Sequence, residues 1–317
     1  MLPIKEINNQ EREVVPIFFA IDDRYIPFMG VCLQSITEHA SKEICYDIKI
    51  LYTNVSKENQ ERIMEFEKDN IKIEFVDVSN YINQIKDKLY TRDYFSNATY
   101  FRLFIPELYP QYHKAIYIDA DTVLLEDIAN LFHIDIGDNL IGGVNDGVII
   151  SGDVFKEYVE KVVGVSDWHH YFNAGVLLMN LEELRKFHFQ DKFTYLLGGI
   201  KFPVAQDQDY LNRICKGRVQ IIDCNWDVMP VNKAMYQDET KLKLIHYNLA
   251  DKPWHNDNVS FEKYFWEYAK KTQFINDIMK IKASYTEADR LADIEMGKNL
   301  AALAQKESDC VGDDRKK

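Results

Sequence analysis

The chain has 317 residues, a hydrophobic content of 46% and a formal net charge of −13. This length and composition suffice for one substantial core, alone or with an appended helical part. The acidic balance argues against general nucleic-acid binding, which needs clustered lysine and arginine side chains against the phosphates. An anionic small ligand remains compatible with it, because a bound metal ion reverses the local field.

The five cysteines are far apart in the sequence and include no Cys-x-x-Cys pair. An odd number at long spacings is typical of free thiols in a reducing compartment. The start of the chain has no signal pattern, and the apolar run at residues 14–21 is too short to span a membrane. We therefore expect a cytoplasmic protein, and we do not expect it to associate with membranes.

Predicted strands and helices alternate through the first half of the chain. Short apolar or alternating segments have the lengths of strands, and the first ends at Asp22 and Asp23. Segments with helical spacing lie between them, one beginning at Ser56 as N-cap. This order predicts an α/β layered domain with a mainly parallel sheet. The predicted strands are residues 15–21, 46–52, 71–76 and 114–118, and the predicted helices are residues 28–38, 56–69 and 97–108.

The second half of the chain is less regular. A buried strand is predicted at residues 172–180, a helix after Asp207, and a further strand at residues 241–247. From Phe261 the aromatic residues follow a helical spacing, which indicates a packing face. The alternative is a membrane-associating face, against which the mixed charges of the segment argue. The residues after 284 predict a polar helical extension with a charged tail.

Pairs of carboxylates follow two of the predicted strands. Asp22 and Asp23 follow the first strand, and Asp119 and Asp121 follow the fourth. In open α/β sheets, ligands bind beyond the carboxyl ends of the strands, so we expect these pairs at one crevice. No Gly-x-Gly-x-x-Gly follows the first strand, which leaves dinucleotide binding unsupported.

The Asp119-Ala120-Asp121 motif suits a divalent cation that bridges two phosphate oxygens, because residues i and i+2 at a strand end project to the same side. The pattern alone is common, and Asp207 and Asp209 repeat it. The string also matches the nucleophile loop of haloacid-dehalogenase-like phosphatases, in which Asp119 would attack phosphorus. That alternative expects the loop on the first strand of its domain and a downstream Gly-Asp-x-x-x-Asp, and the sequence has neither.

Six ordered blocks, one of them Tyr117-Ile-Asp-Ala-Asp-Thr-Val-Leu, resemble the family 8 retaining glycosyltransferases, which include lipopolysaccharide galactosyl- and glucosyltransferases and glycogenin. Together the blocks are far more specific than any one of them. The resemblance implies a GT-A type, Rossmann-like nucleotide-diphospho-sugar transferase domain with a mixed sheet over residues 1–256. A C-terminal helical extension would then occupy residues 257–317. The blocks are residues 19–25, 100–103, 117–124, 171–180, 207–212 and 246–254.

The resemblance implies transfer of a hexose, glucose or galactose, from a UDP-sugar to a hydroxyl of a glycan, glycolipid or glycoprotein. It also implies a metal site formed by Asp119, Asp121 and His246, and this oxygen and nitrogen set favours Mn²⁺ over Mg²⁺. The alternative for a lone histidine such as His246 is a purely structural role. The implied donor-binding residues are Ala20, Asp22, Tyr25, Arg102, Asp119, Ala120, Asp121, Asn173 and Lys252.

Several implied donor contacts have a plainer alternative. Asp22 would accept a hydrogen bond from uracil while Tyr25 stacks on the base, or Asp22 only caps the following turn. Arg102 would hold the donor sugar or a motif carboxylate, or it is a surface arginine. Asn173 would face the sugar or bond the backbone at the strand start, and Lys252 would neutralise the leaving diphosphate or be solvated.

Gln208 and Asp207 are the implied catalytic residues. Retention requires either a nucleophile on the far face of the sugar or attack from the leaving-group face. Gln208 matches the far-face position, but a neutral amide is a poor nucleophile, so we favour same-face attack with both side chains positioning the sugar and steadying positive charge. The alternative for Asp207 is a helix N-cap. Asp146 and Pro230 match acceptor-binding positions of the family.

Two residues depart from the family's pattern. Arg24 stands where the family often has Asn, which affects the expected ribose contact. Leu249 stands where Gly is usual between His246 and Lys252, and a φ above zero would strain the backbone there. This departure motivates a third hypothesis beside the transferase and the phosphatase, namely a non-catalytic sugar-nucleotide binder.

Overall fold

The computed structural model describes residues 12–83, 89 and 97–314. The strands of this part are β1 (Glu13–Ala20), β2 (Ile44–Tyr52), β3 (Ile71–Asp77), β4 (Lys114–Ile118), β5 (Thr122–Leu124), β6 (Ile141–Asn145), β7 (Phe172–Asn180), β8 (Val219–Ile221) and β9 (Leu244–His246). The α-helices are α1 (Ile26–His39), α2 (Lys57–Met64), α3 (Ser79–Ile82), α4 (Ile105–Leu108), α5 (Ala129–Phe132), α6 (Gly147–Ser151), α7 (Asp153–Tyr158), α8 (Leu181–Lys186), α9 (Phe189–Gly199), α10 (Asp207–Cys215), α11 (Glu262–Ala269), α12 (Ile275–Ser284) and α13 (Glu287–Asp314).

Seven strands form one mixed sheet in the order β3-β2-β1-β4-β7-β6-β8. The first four of these run parallel, β7 is antiparallel to both of its neighbours, and β8 is parallel to β6. β5 and β9 form a separate antiparallel pair that places Thr122 opposite His246. The expected Rossmann-like fold with a mixed sheet is confirmed.

Helices cover both faces of the sheet. Because successive side chains of a strand point to opposite faces, β1 and β4 supply two cores. Ile17 and Ile116 belong to the core that also contains α1, whereas Phe18 and Tyr117 belong to the opposite core. All four side chains are fully buried, as expected for strands that lie between two helical layers.

The C-terminal part of the chain packs on both cores. Phe265 of α11 and Phe274, the N-cap of α12, join the core beneath α1, where a side chain on Gly30 would overlap the Phe274 ring. α13 packs against α7, with Ala304 buried. The predicted helical extension is therefore present, while a boundary at residue 256 stays a prediction. Within the described ranges, no helix combines the length and the apolar character needed to cross a bilayer.

Three predicted elements have different bounds in the structure. The helix capped by Ser56 ends at Met64 and not at residue 69, because the chain turns and Lys68 pairs with Ile71. Residues 97–108 are helical as predicted, but Asn97–Phe104 is a 3₁₀ helix that precedes α4. Of the strand predicted at residues 241–247, only β9 pairs, since Glu239–Lys241 forms a 3₁₀ turn.

One edge of the sheet collects the loops that carry the predicted site. β1, β4 and β6 run in one direction and end at this edge, and the antiparallel β7 begins there. Asp22 follows β1, Asp119 and Asp121 follow β4, Asp146 follows β6, and Asn173 is the second residue of β7. Strand direction and strand order therefore bring residues that are distant in sequence to one place.

Candidate active site

A cleft opens at this edge of the sheet. Its lining includes every predicted site residue except Pro230, which is buried at the start of the 3₁₀ helix Pro230–Met235. The proposed acceptor contact of Pro230 therefore stays a prediction without a position in the cleft. The predicted residues that line the cleft are Ala20, Asp22, Tyr25, Arg102, Asp119, Ala120, Asp121, Asp146, Asn173, Asp207, Gln208, His246 and Lys252.

Three potential metal ligands converge in the cleft. The ligand atoms of Asp119, Asp121 and His246 lie within 4.8 Å of one another. Nε2 of His246 is 3.4 Å from Oδ1 of Asp121 and 3.9 Å from Oδ2 of Asp119. The other carboxylate oxygens are engaged, since Tyr117 donates to Asp119 and Lys252 donates to Asp121, each at 2.6 Å. One oxygen of each carboxylate and one imidazole nitrogen thus face a common point, which suits a divalent transition-metal ion.

The orientation of His246 is set by Asp227, which the sequence analysis did not single out. Nδ1 of His246 lies 2.9 Å from Oδ1 of Asp227, and both side chains are buried. A carboxylate at this position accepts the Nδ1 proton and directs Nε2 toward the carboxylates Asp119 and Asp121. Metal-binding histidines usually donate their second N–H to a carboxylate or a carbonyl, so the sequence predicts that His246 has an acceptor of this kind. No sequence pattern around Asp227 identifies this residue as the acceptor.

Gly175 of β7 leaves the space in which the three ligands meet. A Cβ atom at this position would overlap the His246 ring and would lie 2.8 Å from Oδ2 of Asp119. The Gly175 carbonyl also accepts the Asp119 N–H at 2.8 Å, which fixes the start of the metal motif. The donor set and the space beside Gly175 therefore fit a small divalent ion.

The charges of the cluster shift the pKa values of its members. Burial lowers the pKa of His246, but the carboxylates of Asp227 and Asp121 raise it more, to about 10. The pKa of Asp121 lies well below its usual range, because Lys252 and His246 outweigh the raising effect of burial. Cationic side chains of the protein thus balance the clustered carboxylates.

Arg102 is a buried bridge between two carboxylates. Its Nη2 lies 3.1 Å from Oδ1 of Asp119, and its Nε lies 3.1 Å from Oδ2 of Asp207. Nη1 donates to the carbonyl of Ala174, and the guanidinium lies over the Tyr117 ring. At 3% exposure Arg102 is not a surface arginine. It holds a motif carboxylate, while a direct contact with the donor sugar stays a prediction.

The amide of Gln208 is fixed by three partners. Its Oε1 accepts from Ala174 N–H at 2.9 Å, and its Nε2 donates to Oδ2 of Asp146 at 3.0 Å and to the Tyr171 hydroxyl at 3.2 Å. Because the Ala174 N–H only donates and a carboxylate only accepts, one amide orientation satisfies the site. Asn173 donates to the same Asp146 oxygen at 2.9 Å. Asp146 therefore orients two predicted substrate-facing side chains.

The two aspartates at the start of α10, Asp207 and Asp209, have different surroundings. Asp207 lines the cleft, where burial raises its pKa to about 6 against the lowering effect of Arg102. Asp209 is fully buried and accepts from the hydroxyls of Tyr158 and Tyr171 at 2.8 and 2.7 Å. The N-cap of α10 is Gln206, so the capping alternative for Asp207 is wrong.

The loop after β1 shows the capping role of Asp22. Its Oδ1 accepts from the Arg24 N–H at 3.0 Å, and its Oδ2 lies 2.7 Å from Nη2 of the same arginine. Both residues line the cleft together with Tyr25. The capping interpretation is thus confirmed, and the contact of Asp22 with a base stays a prediction.

Lys252 is held close to the metal motif by an anchored loop. It is 3% exposed and donates to Oδ2 of Asp121 and, at 2.7 Å, to the carbonyl of Tyr247. Two residues further on, the Trp254 ring stacks on Phe28 of α1, with centroids 3.9 Å apart. This stacking fixes the end of the loop, and the solvated alternative for Lys252 is wrong.

Leu249, in the same loop, has a φ of 55° and lines the cleft. This is the left-handed region, in which a residue with a Cβ atom is disfavoured by about 1–2 kcal/mol. The strain expected for a leucine at this position is therefore present. The loop keeps the conformation that a glycine would adopt more readily.

The mixed sheet with the Asp-Asp-His cluster at its edge is the arrangement that the sequence analysis expects of a GT-A type glycosyltransferase. The model of "Glycosyl transferase family 8" matches residues 16–258, and the chain belongs to this family. This assignment removes the support for the phosphatase alternative, in which Asp119 is a nucleophile.

Two relatives illustrate the range of the family. The chain is 31% identical over 253 residues to a candidate glycosyltransferase of Haemophilus influenzae, covering 77% of this chain and 74% of the relative. It is 26% identical over 278 residues to the lipopolysaccharide 1,2-glucosyltransferase of Escherichia coli K12, covering 78% and 75%.

Solved structures share the fold. The bifunctional glycosyltransferase WbbM superposes with a TM-score of 0.77 at 29% identity, and the match covers 88% of this chain and 53% of WbbM. The chain thus spans about half the length of that enzyme. The galactosyltransferase LgtC, solved with donor and acceptor sugar analogues, superposes with a TM-score of 0.69 at 25% identity, covering 82% of this chain and 96% of LgtC.

Proposed function

We propose that this glycosyltransferase moves a hexose, glucose or galactose, from a UDP-sugar to a hydroxyl of a glycan, glycolipid or glycoprotein. We propose further that it requires Mn²⁺ and retains the anomeric configuration. The observation that carries the proposal is the convergence of Asp119, Asp121 and His246 beside Lys252. The similarity to a glucosyltransferase and to a galactosyltransferase supports a hexose donor.

The strand order suggests how the donor lies. The uracil base would lie beside Ala20, Asp22 and Tyr25 after β1, with the diphosphate one strand further at Ala120 and its flanking aspartates. A carboxylate oxygen accepts more than one hydrogen bond, so Asp22 keeps its bond to Arg24 while it accepts from the base. The hexose would then reach Asn173 at the start of β7.

Departure of the diphosphate is the step that needs positive charge. A bound Mn²⁺ supplies Lewis-acid stabilisation of the oxygens that gain charge. Lys252 adds a second cation, and its burial strengthens the attraction because little water screens it. Asp119 and Asp121 would hold the ion, with His246 as the nitrogen ligand.

The fixed amide of Gln208 favours same-face attack. Both polar atoms of the amide already have partners, and a neutral amide is a poor nucleophile. We therefore expect the acceptor oxygen to bond to the anomeric carbon on the face from which the diphosphate leaves. The departing phosphate oxygen takes the proton of that hydroxyl. Gln208 and Asp207 would position the sugar and steady the positive charge that develops on it.

The test is a thermal-shift and turnover series with UDP-glucose and UDP-galactose, each with and without Mn²⁺. A true donor raises the melting temperature by mass action, and the rise should require the ion. Asp121→Asn should abolish both the shift and the turnover, whereas Asp251→Asn, an exposed change in the Lys252 loop, should not. Full turnover in Asp121→Asn would contradict the proposal that Asp121 binds a required metal ion. Binding of UDP without turnover of any donor would favour the non-catalytic hypothesis, which the strained Leu249 motivates.

The stereochemical outcome is measured separately. Proton NMR of the product distinguishes axial from equatorial linkage by the coupling constant of the anomeric proton. Retention predicts the same configuration as in the UDP-sugar. An inverted product would contradict same-face attack even if the metal dependence held.

A further inference from the structure

The two ends of the cleft differ in chemistry. The charged side chains that line it come from the loops after β1, β4, β6 and β9, from the end of β9, from the 3₁₀ helix Asn97–Phe104 and from the start of α10. The lining also includes apolar side chains from three helices, two of which follow β6 directly in the chain. These are Val148 and Ile149 of α6, Phe155 of α7 and Leu300 of α13. We call these four side chains the apolar wall.

The strand order places the apolar wall far from the nucleotide loop. β1 and β6 are separated by β4 and β7, which is three strand spacings or roughly 14 Å. Asp22 follows β1, and α6 begins directly after Asp146. A donor that runs from Asp22 past the metal motif to Gln208 therefore leaves the apolar wall for the other substrate.

Leu300 belongs to a docked helix. On α13 the side chains of Leu300, Leu303, Ala304 and Ser308 follow the spacing of one helical face, and Ala304 and Ser308 are fully buried. Leu300 and Phe155 both pack partly against the same core, and both line the cleft. The helix lies outside residues 16–258, which the family model matches. The wall is thus completed by a segment outside the part of the chain that the family model matches.

We propose that the acceptor carries an apolar group close to the hydroxyl that receives the sugar, and that Phe155 and Leu300 bind this group. The proposal rests on the proposed function, because it takes the polar part of the cleft as the donor site. A bare saccharide needs hydrogen-bond partners, and the four side chains of the wall offer none. An alkyl or aryl aglycone gains free energy by leaving water there. The acceptor class is therefore an amphiphilic glycoside.

The test compares the binding of paired octyl and methyl β-D-glycosides, glucoside and galactoside, by calorimetry. The octyl compounds are kept below their micelle concentration, with UDP and Mn²⁺ present. We expect the wild-type enzyme to bind the octyl compound of at least one pair about tenfold or more tightly, since several methylene groups leave water. Leu300→Asp should reduce that preference to near unity, and Leu300→Ala should reduce it in part.

Leu303→Ala is the matched control, because Leu303 lies on the same helix face but does not line the cleft. It should keep the octyl preference. Equal binding of both glycosides by the wild type overturns the proposal, as does a preference that survives in both Leu300 variants. A separate titration of each variant with UDP in the presence of Mn²⁺ measures the donor site, so a failure of the donor assignment is seen separately. Circular dichroism of each variant identifies any loss of fold.

Discussion

At the scale of single residues, the candidate metal site depends on a carboxylate that touches no proposed ligand except a histidine. Asp227 is fully buried at the side chain and bonds Nδ1 of His246. Without that bond the imidazole is free to turn or to present its other nitrogen. Asp227 thus fixes the orientation in which His246 can bind a metal ion.

Asp227→Asn should weaken Mn²⁺ binding by about ten- to hundredfold, because the amide is a poorer acceptor for the imidazole proton. Electron paramagnetic resonance of free Mn²⁺ in a titration measures the affinity without any turnover. Asp223→Asn is the control, since that half-exposed residue caps a nearby 3₁₀ turn. Unchanged Mn²⁺ affinity in Asp227→Asn would show that the site does not need this orientation.

The raised pKa of His246 predicts a pH dependence of metal binding. With a pKa of about 10 the imidazole is protonated at neutral pH, and it must lose that proton to bind a metal. Mn²⁺ affinity should therefore rise with pH, by about tenfold per unit between pH 6 and pH 8. Calorimetry in buffers of different ionisation enthalpy should detect about one proton released per ion. Release of no proton would contradict a protonated His246 in the metal-free site.

At the scale of elements, the reversed strand β7 forms one side of the metal site. Because it runs antiparallel to β4, its first residues and not its last ones reach the edge where the parallel strands end. Gly175 therefore lies beside His246, and the Gln208 amide bonds the backbone of Ala174. A parallel strand would have brought its opposite end to the site.

Gly175→Ala should abolish Mn²⁺ binding, because the added methyl group occupies the space between His246 and Asp119. Overpacking of this kind should also destabilise the fold by about 1–3 kcal/mol. Mn²⁺ titration and urea unfolding measure the two effects. Gly198→Ala, in a helix with open space around it, should leave metal binding unchanged and stabilise slightly. Normal metal binding in Gly175→Ala would show that the site does not need the space beside residue 175.

In the loop from β9 to Lys252, Leu249 holds a strained left-handed backbone conformation, and substitutions at this position test that strain. Leu249→Val should destabilise the protein by about 1 kcal/mol or more, because a β-branched residue tolerates a positive φ less well. Leu249→Gly should be nearly neutral, since relief of strain offsets the greater freedom of the unfolded chain. Urea unfolding measures the free energy of unfolding of both variants. Equal stability of the two would mean that residue 249 does not hold a left-handed conformation.

The sequence predicted most elements of the fold because their patterns are strong. β1, β4 and β7 are apolar runs, and β3 alternates, whereas β6 contains two glycines and β8 has three residues, too little for a pattern. The motifs identified Asp119, Asp121 and His246. Asp227 and Leu300 belong to none of the motifs, and only the tertiary fold brings them to the site. Strand direction is equally invisible in a hydrophobic pattern, which is why β7 was predicted as a strand without its orientation.

At the scale of the whole molecule, α13 attaches to the catalytic part through a narrow face. Ala304 is fully buried against the core that contains Tyr158 of α7, while Ala302 is exposed. Ala304→Asp should detach the helix, because it places an unpaired charge in an apolar contact. Hydrogen exchange should then show lost protection across α13 with the sheet still protected. Ala302→Asp should change neither, and retained protection in Ala304→Asp would contradict the docking.

The pairing of Lys252 with Asp121 has a consequence for the order of events at the site. The lysine occupies one oxygen of a proposed metal ligand, and it is also the proposed partner of the diphosphate. A diphosphate that draws Lys252 away removes a positive charge that competes with the ion for Asp121, and an ion at Oδ1 of Asp121 weakens the attraction of this carboxylate for Lys252. Each ligand thus removes a cost that the other would otherwise meet. Metal and nucleotide should therefore bind with positive cooperativity, and thermodynamic linkage requires the enhancement to be equal in both directions.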